Sequence, residues 1–301
     1  MSEYDLIIIG GGPASFSAAI YAARYKLKTL LITKELGGYL NKIHLIENYP
    51  GFKEISGLEL AQKFKDHINK YNIPIIEKEV IDIKKHNNHF LIITKDNKEF
   101  KTRTIILALG TEKRKLNLKN EDKFIGKGIS YCYICDAPLT KDKLVAVVGG
   151  SDSAVRAASL LVKYAKKVYI LYRKEKLRGE PLEVEKILKN PKVEFIKNVN
   201  IKELKGDNFL KSVILDNNKE INLDYLFIEI GSIPSTDLIS KLKIKTHKEG
   251  FIIVDSKKKT SIPGIFAAGD ITNTPLKQII TASADGAIAA HSSYEYLKNS
   301  L

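Results

Sequence analysis

Cys132 and Cys135 are the only cysteines among 301 residues, and Asp136 follows the second. Two thiols separated by two residues can close a small disulfide ring. Once reduced, the first is a ready nucleophile, because its partner and the local backbone stabilise its thiolate. Half a zinc knuckle is the competing reading, but four ligands are needed and there is no second Cys pair or suitably spaced His pair. A disulfide staple suits small secreted chains rather than one of this length. Asp136 sits beside a thiol that must be protonated when the dithiol is remade, which makes it the candidate general acid. The chemistry expected of this stretch is redox exchange.

A second kind of chemistry lies at the amino end. Leu6-Ile7-Ile8-Ile9 reads as a buried parallel strand, Gly10-Gly11-Gly12-Pro13-Ala14-Ser15 as a turn, and Ala18 to Ala23 as the helix that follows. Glycines at 10 and 12 let the backbone turn tightly and approach a pyrophosphate, whose charge the helix N-terminus meets. Ser15 stands at the third position of this G-x-G-x-x-G pattern. The next strand, Thr29 to Ile32, ends at Thr33, where dinucleotide sites often carry an acidic residue for the ribose; Glu35 lies two residues on. The pattern then repeats. Lys143 to Val148 is a second strand, Gly149-Gly150-Ser151-Asp152-Ser153-Ala154 a second turn, and Val155 to Tyr164 a second helix. Two such units imply two nucleotide cofactors. After the strand Lys167 to Tyr172 come Arg173, Lys174 and Arg178, a basic cluster where a 2'-phosphate would lie, which favours NADPH over NADH. Ser151 counts against tight binding, since its side chain lies where backbone would meet pyrophosphate.

Other elements must position these groups. Leu36-Gly37-Gly38-Tyr39-Leu40 is a glycine-hinged loop, Glu47 to Gly51 a turn, and Leu60, Phe64 and Ile68 the buried stripe of an amphipathic helix. Residues 75 to 104 read as short strands, with a hairpin tip at His86-Asn87-Asn88-His89. Those histidines read as a solvated turn rather than a metal pair, having no carboxylate or thiol beside them. Strands follow at Thr104 to Gly110 and, after the second turn, at Tyr225 to Ile230, ahead of Gly231. Phe251 to Val254 and Ile265 to Asp270 return to the style of the opening segment. Asp270, at a strand end, is placed to hold polyol hydroxyls. Gln278 begins a helix running to Leu297, whose start would stabilise the charge on a reduced flavin.

Composition bounds the rest. A 44% apolar chain of this length can bury one large core or two ordinary ones. No apolar run approaches the roughly 18 residues of a membrane span. The acidic start Met1 to Asp5 is unlike an export signal, so a cytoplasmic location is expected. The net charge of +14 is carried almost wholly by Lys, scattered except at Lys257-Lys258-Lys259 and without an aromatic platform. That argues against nucleic acid and is compatible with an acidic protein partner.

Together these residues resemble the low-molecular-weight thioredoxin reductases. The likeness is carried in order by Gly10 to Ala14, Gly37-Gly38, Glu47 to Gly51, Ala108-Leu109-Gly110, the C-x-x-C-D at 132 to 136 and the second glycine turn. Tyr172-Arg173-Lys174 with Arg178, Gly231 with Pro234, Thr260 to Asp270 and Lys277-Gln278 continue it over essentially the whole chain. The resemblance implies an α/β homodimer with two Rossmann-like three-layer domains, the second inserted into the first. An FAD domain would span residues 1–112 and 246–301, and an NADPH domain carrying the C-x-x-C residues 113–245. It also implies that FAD is held by Gly10, Gly12, Pro13, Ala14, Thr33, Glu35, Gly37, Gly38, Tyr39, Leu40, Asn48, Val80, Ala108, Gly110, Gly269, Asp270, Lys277, Gln278 and Ile279. NADPH would be held by Gly149, Ser151, Asp152, Ser153, Arg173, Lys174 and Arg178. Electrons would pass from NADPH to FAD, then to Cys135, with Cys132 attacking thioredoxin or a similar protein and Asp136 supplying protons. The inserted domain would alternate between two orientations. Four positions depart from the family: Tyr39 stands for a glutamine, Ser151 for a glycine, and Tyr172 and Lys174 for a His and an Arg. They keep open a different donor, such as reduced ferredoxin, as well as a non-enzymatic flavin-binding redox sensor.

Overall fold

The computed structural model describes residues 3–43, 46–86, 88–234 and 237–299. The chain divides into two compact units, one of Met1–Glu112 with Ile233–Leu301 and one of Lys113–Ser232. In the first, β1 (Glu3–Ile9) leads through the glycine turn into α1 (Pro13–Arg24), and β2 (Thr29–Thr33) follows. Next come α2 (Gly57–Asn69), β3 (Ile75–Glu77), β4 (Val80–His86), β5 (His89–Thr94) and β6 (Glu99–Leu107). β1 is buried on both faces because it is central: it pairs in parallel with β2 on one side and β6 on the other. Its even positions, Leu6 and Ile8, pack with Ala18, Ala22 and Ala289, while Ile7 and Ile9 pack with Ile83, Phe90 and Ile239 on the opposite face. β4 and β5 pair as far as His86↔His89; Asn87, placed at the hairpin tip by the sequence, lies outside the described residues.

The second unit repeats the plan. β7 (Thr111–Lys113) begins the crossing, and α3 (Glu121–Phe124), β8 (Ile129–Ser130) and α4 (Tyr133–Asp136) precede β9 (Leu144–Val148). Then come α5 (Asp152–Leu161), β10 (Lys167–Tyr172), α6 (Pro181–Leu188), β11 (Val193–Lys197), the meander β12 (Ile201–Gly206), β13 (Leu210–Leu215) and β14 (Glu220–Asn222), and β15 (Tyr225–Ile228). The parallel sheet runs β11-β10-β9-β15-β8. Val145, Val147 and Ile170 pack beneath Val155 and Leu161 of α5, while Ala146, Leu171 and Ile228 pack against Leu204 and Val213 of the meander. Each unit is thus built on a parallel sheet between layers, as the sequence predicts, and in the first unit β5 and β4 extend that sheet antiparallel beyond β6.

β16 (Ser232–Pro234) pairs with β7, and α7 (Asp237–Leu242), β17 (Ile265–Ala267) and α8 (Ile279–Lys298) complete the first unit. The return comes at Ile233, ahead of the expected residue 246. Leu238, Ile239 and Ile244 explain this, since they bury themselves in the cluster of Ile9, Ile32 and Ile252. Phe251 to Val254 forms no strand; Ile252 makes only isolated bridges to Thr246 and Thr272, yet is wholly buried. α5 starts at Asp152 rather than Val155, with Ser151 at its N-cap in extended backbone and no side-chain cap bond, and it ends at Leu161, short of Tyr164.

Candidate functional site

The first site is built on the β1 turn. Gly10 has φ +134, and a Cβ there would lie 2.1 Å from the Ala108 carbonyl oxygen, so this glycine is required by the chain itself. Gly12 is different: its φ is −90°, and a Cβ would meet nothing within 4 Å. Nothing in the protein demands glycine there, and the open space over the α1 N-terminus is what a pyrophosphate needs. Pro13 follows at the first helical position and Ala14 is buried. Nearby, Ser15 Oγ is buried without a hydrogen-bond partner.

Several residues expected to hold FAD, Gly37, Gly38, Ala108 and Gly269, lie against that turn, and others pair among themselves. Gly37 N donates to Gly11 O at 2.9 Å, and a Cβ on Gly38 would lie 3.5 Å from Gly12 N. Ala108 N donates to Ile9 O, with Gly110 two residues on. Gly269 approaches Ala14 and Ala282. Asn48 Nδ2 donates to Gln278 Oε1 at 3.2 Å, and Gln278 caps α8 in a reciprocal pair with Thr281, ahead of Ile279. Asp270 has its carboxyl held above the usual range by burial, against the pull of Lys277 and with reinforcement from Asp285. Lys277 is held low by burial and donates to Asp270 O at 2.6 Å and Thr272 O at 3.0 Å, above the Phe251 ring.

Others serve the protein itself. Thr33 Oγ1 donates to Glu35 O, and the Glu35 carboxylate accepts from Asn41 Nδ2 at 3.1 Å. Leu40 is buried with Ile46, Ile55 and Leu60, Val80 packs on the underside cluster of Ile9 and Ile32, and Tyr39 is exposed. Sequence reasoning missed Lys258 and Asp285, which pair at 2.6 Å with both side chains largely buried, while Asp285 Oδ2 also accepts from Gly269 N. Lys258 read only as part of the run Lys257-Lys258-Lys259; its contact across the sequence is what marks it.

The second unit holds the sulfurs. Cys132 and Cys135 are joined as a disulfide. Cys132 caps the short helix α4, its Sγ accepting from Cys135 N at 3.3 Å, and Cys132 N donates to Ser130 Oγ at 3.0 Å. Cys132 and Asp136 are partly buried and Cys135 is exposed. When the bridge is open, the amide aimed at Cys132 Sγ favours its thiolate.

The second glycine turn closely matches the first. Gly149, at φ +140, approaches Glu229 O as Gly10 approaches Ala108 O. Ser151 occupies the place of Gly12 with nearly the same backbone, φ −96° and ψ −177° against −90° and −172°. Its hydroxyl lies 3.3 Å from that of Ser153, so the second turn carries a side chain where the first is open. Arg173, Lys174 and Arg178 are exposed, and their loop is tied down by Arg178 N donating to Gly150 O and Glu180 N donating to Asp152 Oδ1. Asp152 therefore braces the loop. Tyr172 is buried with its ring against Gly150 and its hydroxyl unpartnered. No His/Cys/Asp/Glu cluster able to hold a metal occurs among the described residues.

Comparison with known proteins agrees with this arrangement. Residues 4–286 match the pyridine nucleotide-disulphide oxidoreductase family model. A thioredoxin reductase of Bacillus subtilis is 39% identical over 99% of the chain and 97% of its own length. Among solved structures, Lactococcus lactis thioredoxin reductase superposes with a TM-score of 0.94 at 37% identity, covering 98% of this chain and 99% of that one. A ferredoxin-flavin thioredoxin reductase of Clostridium acetobutylicum is 33% identical, with 99% of each chain covered and a TM-score of 0.55.

Proposed function

The chain belongs to the pyridine nucleotide-disulphide oxidoreductases, and from that premise we propose a thioredoxin reductase in which NADPH, FAD and the Cys132–Cys135 disulfide relay electrons to thioredoxin or a similar acidic protein. The observation that carries this reading is the conjunction of one open nucleotide cradle, at Gly12, with one C-x-x-C disulfide whose first sulfur receives an amide hydrogen. A bound flavin supplies a two-electron carrier between nicotinamide and disulfide.

The chain's own part follows from its geometry. Gly12 and the α1 N-terminus would hold the pyrophosphate of FAD, Asp270 its polyol hydroxyls, and the Asn48–Gln278 pair with the start of α8 would stabilise the charge of its reduced ring. Reduction of the Cys132–Cys135 bond uses one NADPH and one proton per dithiol. The Cys132 thiolate then attacks a sulfur of the acceptor's disulfide, forming a mixed disulfide as the other acceptor sulfur leaves. Asp136 delivers the proton that the leaving sulfur needs. Cys135 next attacks Cys132 Sγ, which releases the acceptor as a dithiol and remakes the intramolecular bridge. Arg173, Lys174 and Arg178 read the 2'-phosphate of NADPH. A cytoplasmic homodimer completes the proposal, supported by the resemblance; no helix among the described residues is long and apolar enough to cross a membrane.

A second donor is favoured by one feature, the Ser151 hydroxymethyl in the cradle of the second turn. Reduced ferredoxin, an acidic protein, would suit a chain of net charge +14. Anaerobic titration of the FAD-loaded protein separates the two. NADPH should bleach the flavin within seconds; bleaching by reduced ferredoxin alone would replace the donor. Failure of every donor to yield dithiol would leave a flavin-binding sensor.

A further inference from the structure

Glu229 follows β15 directly and is 1% exposed, yet its Oε1 has no hydrogen-bond partner. Its Oε2 accepts from Lys113 Nζ at 2.5 Å. Burial pushes the carboxyl up; Lys113 and the nearby Ser153 hydroxyl pull it down, though no hydrogen bond closes on Oε1. A buried acceptor left open costs stability, so its presence asks for a donor that arrives with a ligand.

Its place in the sheet says which ligand atoms come near. β9 pairs with β10 on one side and β15 on the other, with Ile228 opposite Val148, so Glu229 flanks the Gly149 turn. The chain runs from β9 outward to β10 and β11 before it returns to β15, which puts the switch of strand order between β9 and β15. A dinucleotide lies across that point. Bound across that point, its adenosine half would lie over the end of β10, where Arg173 and Lys174 follow, and its other half over the end of β15.

Resting on the reading of this turn as a dinucleotide site, we propose that Glu229 anchors the nicotinamide half of the nucleotide, accepting a hydroxyl or amide hydrogen on Oε1 while Lys113 holds Oε2. Two independent features converge on it: the N-terminus of the ten-residue helix α5, and a carboxylate oxygen buried beside that terminus without a partner. Lys113 holds Oε2 in place, so that the site is formed before the nucleotide arrives.

Calorimetry on the FAD-loaded protein with two probes tests this. NADP+ carries both halves; 2',5'-ADP carries only the adenosine half and its phosphate. The paired replacement Lys113→Met/Glu229→Met leaves no buried charge behind and should fold. It should weaken NADP+ about tenfold or more and leave 2',5'-ADP unchanged. Glu229→Gln, which keeps an uncharged acceptor, should fall between the two. Equal NADP+ affinity in the wild type and both variants, with 2',5'-ADP retained, would mean that Oε1 meets an ordered water only and would overturn the proposal. Parallel loss of both probes would make the pair structural and would also overturn it. If the wild type bound neither probe, the dinucleotide reading itself would fall and take this inference with it.

Discussion

Serine in place of Gly12 should release the flavin while leaving the fold almost untouched. The second turn already shows that serine is tolerated in this backbone: Ser151 caps α5 at φ −96°, within a few degrees of the −90° at Gly12. A Cβ on Gly12 meets nothing within 4 Å, so the substitution creates no clash in the apoprotein. Serine is also at least as good a helix cap as glycine, and unfolding stability should change by about 0.5 kcal/mol or less. The flavin is affected differently, because the hydroxymethyl group enters the space over the α1 N-terminus. Losing one charge-assisted contact to a phosphate there costs about 1.5–3 kcal/mol, or roughly tenfold to a hundredfold in Kd. Denaturant unfolding of the apoprotein measures the first quantity, and quenching of FAD fluorescence on titration the second. Gly10→Ala is the contrasting control, because its Cβ would sit 2.1 Å from Ala108 O and should damage the fold itself. Wild-type affinity for FAD in Gly12→Ser would refute the reasoning, since no pyrophosphate could then pass over that residue.

The reciprocal change, Ser151→Gly, should lower the Kd for NADPH several-fold; no change would mean that the hydroxyl does not obstruct the second cradle. Arg178→Ala should raise KM for NADPH much more than for NADH, and equal effects would remove the basic loop from phosphate recognition. Cys135→Ser should keep FAD, abolish turnover and lose the long-wavelength charge-transfer band of the half-reduced enzyme; survival of that band would reverse the roles of the two sulfurs. Asp270 has a folded pKa above its ordinary 3.8, so its stabilising contribution is complete below that value and is lost as pH rises through the raised one. Apo Asp270→Asn should therefore gain stability over wild type at pH 7 and less at pH 4, as read by denaturant unfolding. A gain that does not change with pH would assign the effect to something other than titration.

What the sequence shows best is what neighbouring residues decide. The unbroken apolar run Leu6 to Ile9 and the strand Lys167 to Tyr172 appear where expected, because a strand buried on both faces needs no partner to be recognised. Both glycine turns and the C-x-x-C were legible for the same reason. Elements defined by distant contacts were not. The six-residue α7 is too short to show a period, and only burial of Leu238 and Ile239 against Ile9 and Ile83 gives it to the first unit. Ile252 had the composition of a strand residue but lacks the neighbours that would extend its bridges into one. Nothing along the chain announces that Lys113 pairs with Glu229 or Lys258 with Asp285. The obstruction at Ser151 could be read from the motif alone; the unsatisfied oxygen of Glu229 could not.

The most direct test of the electron path counts sulfurs. FAD-loaded protein, mixed anaerobically with one equivalent of NADPH and then alkylated, should carry label on both Cys132 and Cys135 by mass spectrometry, whereas the unreduced sample carries none. A bleached flavin above an unlabelled, still-bridged cysteine pair would contradict the account.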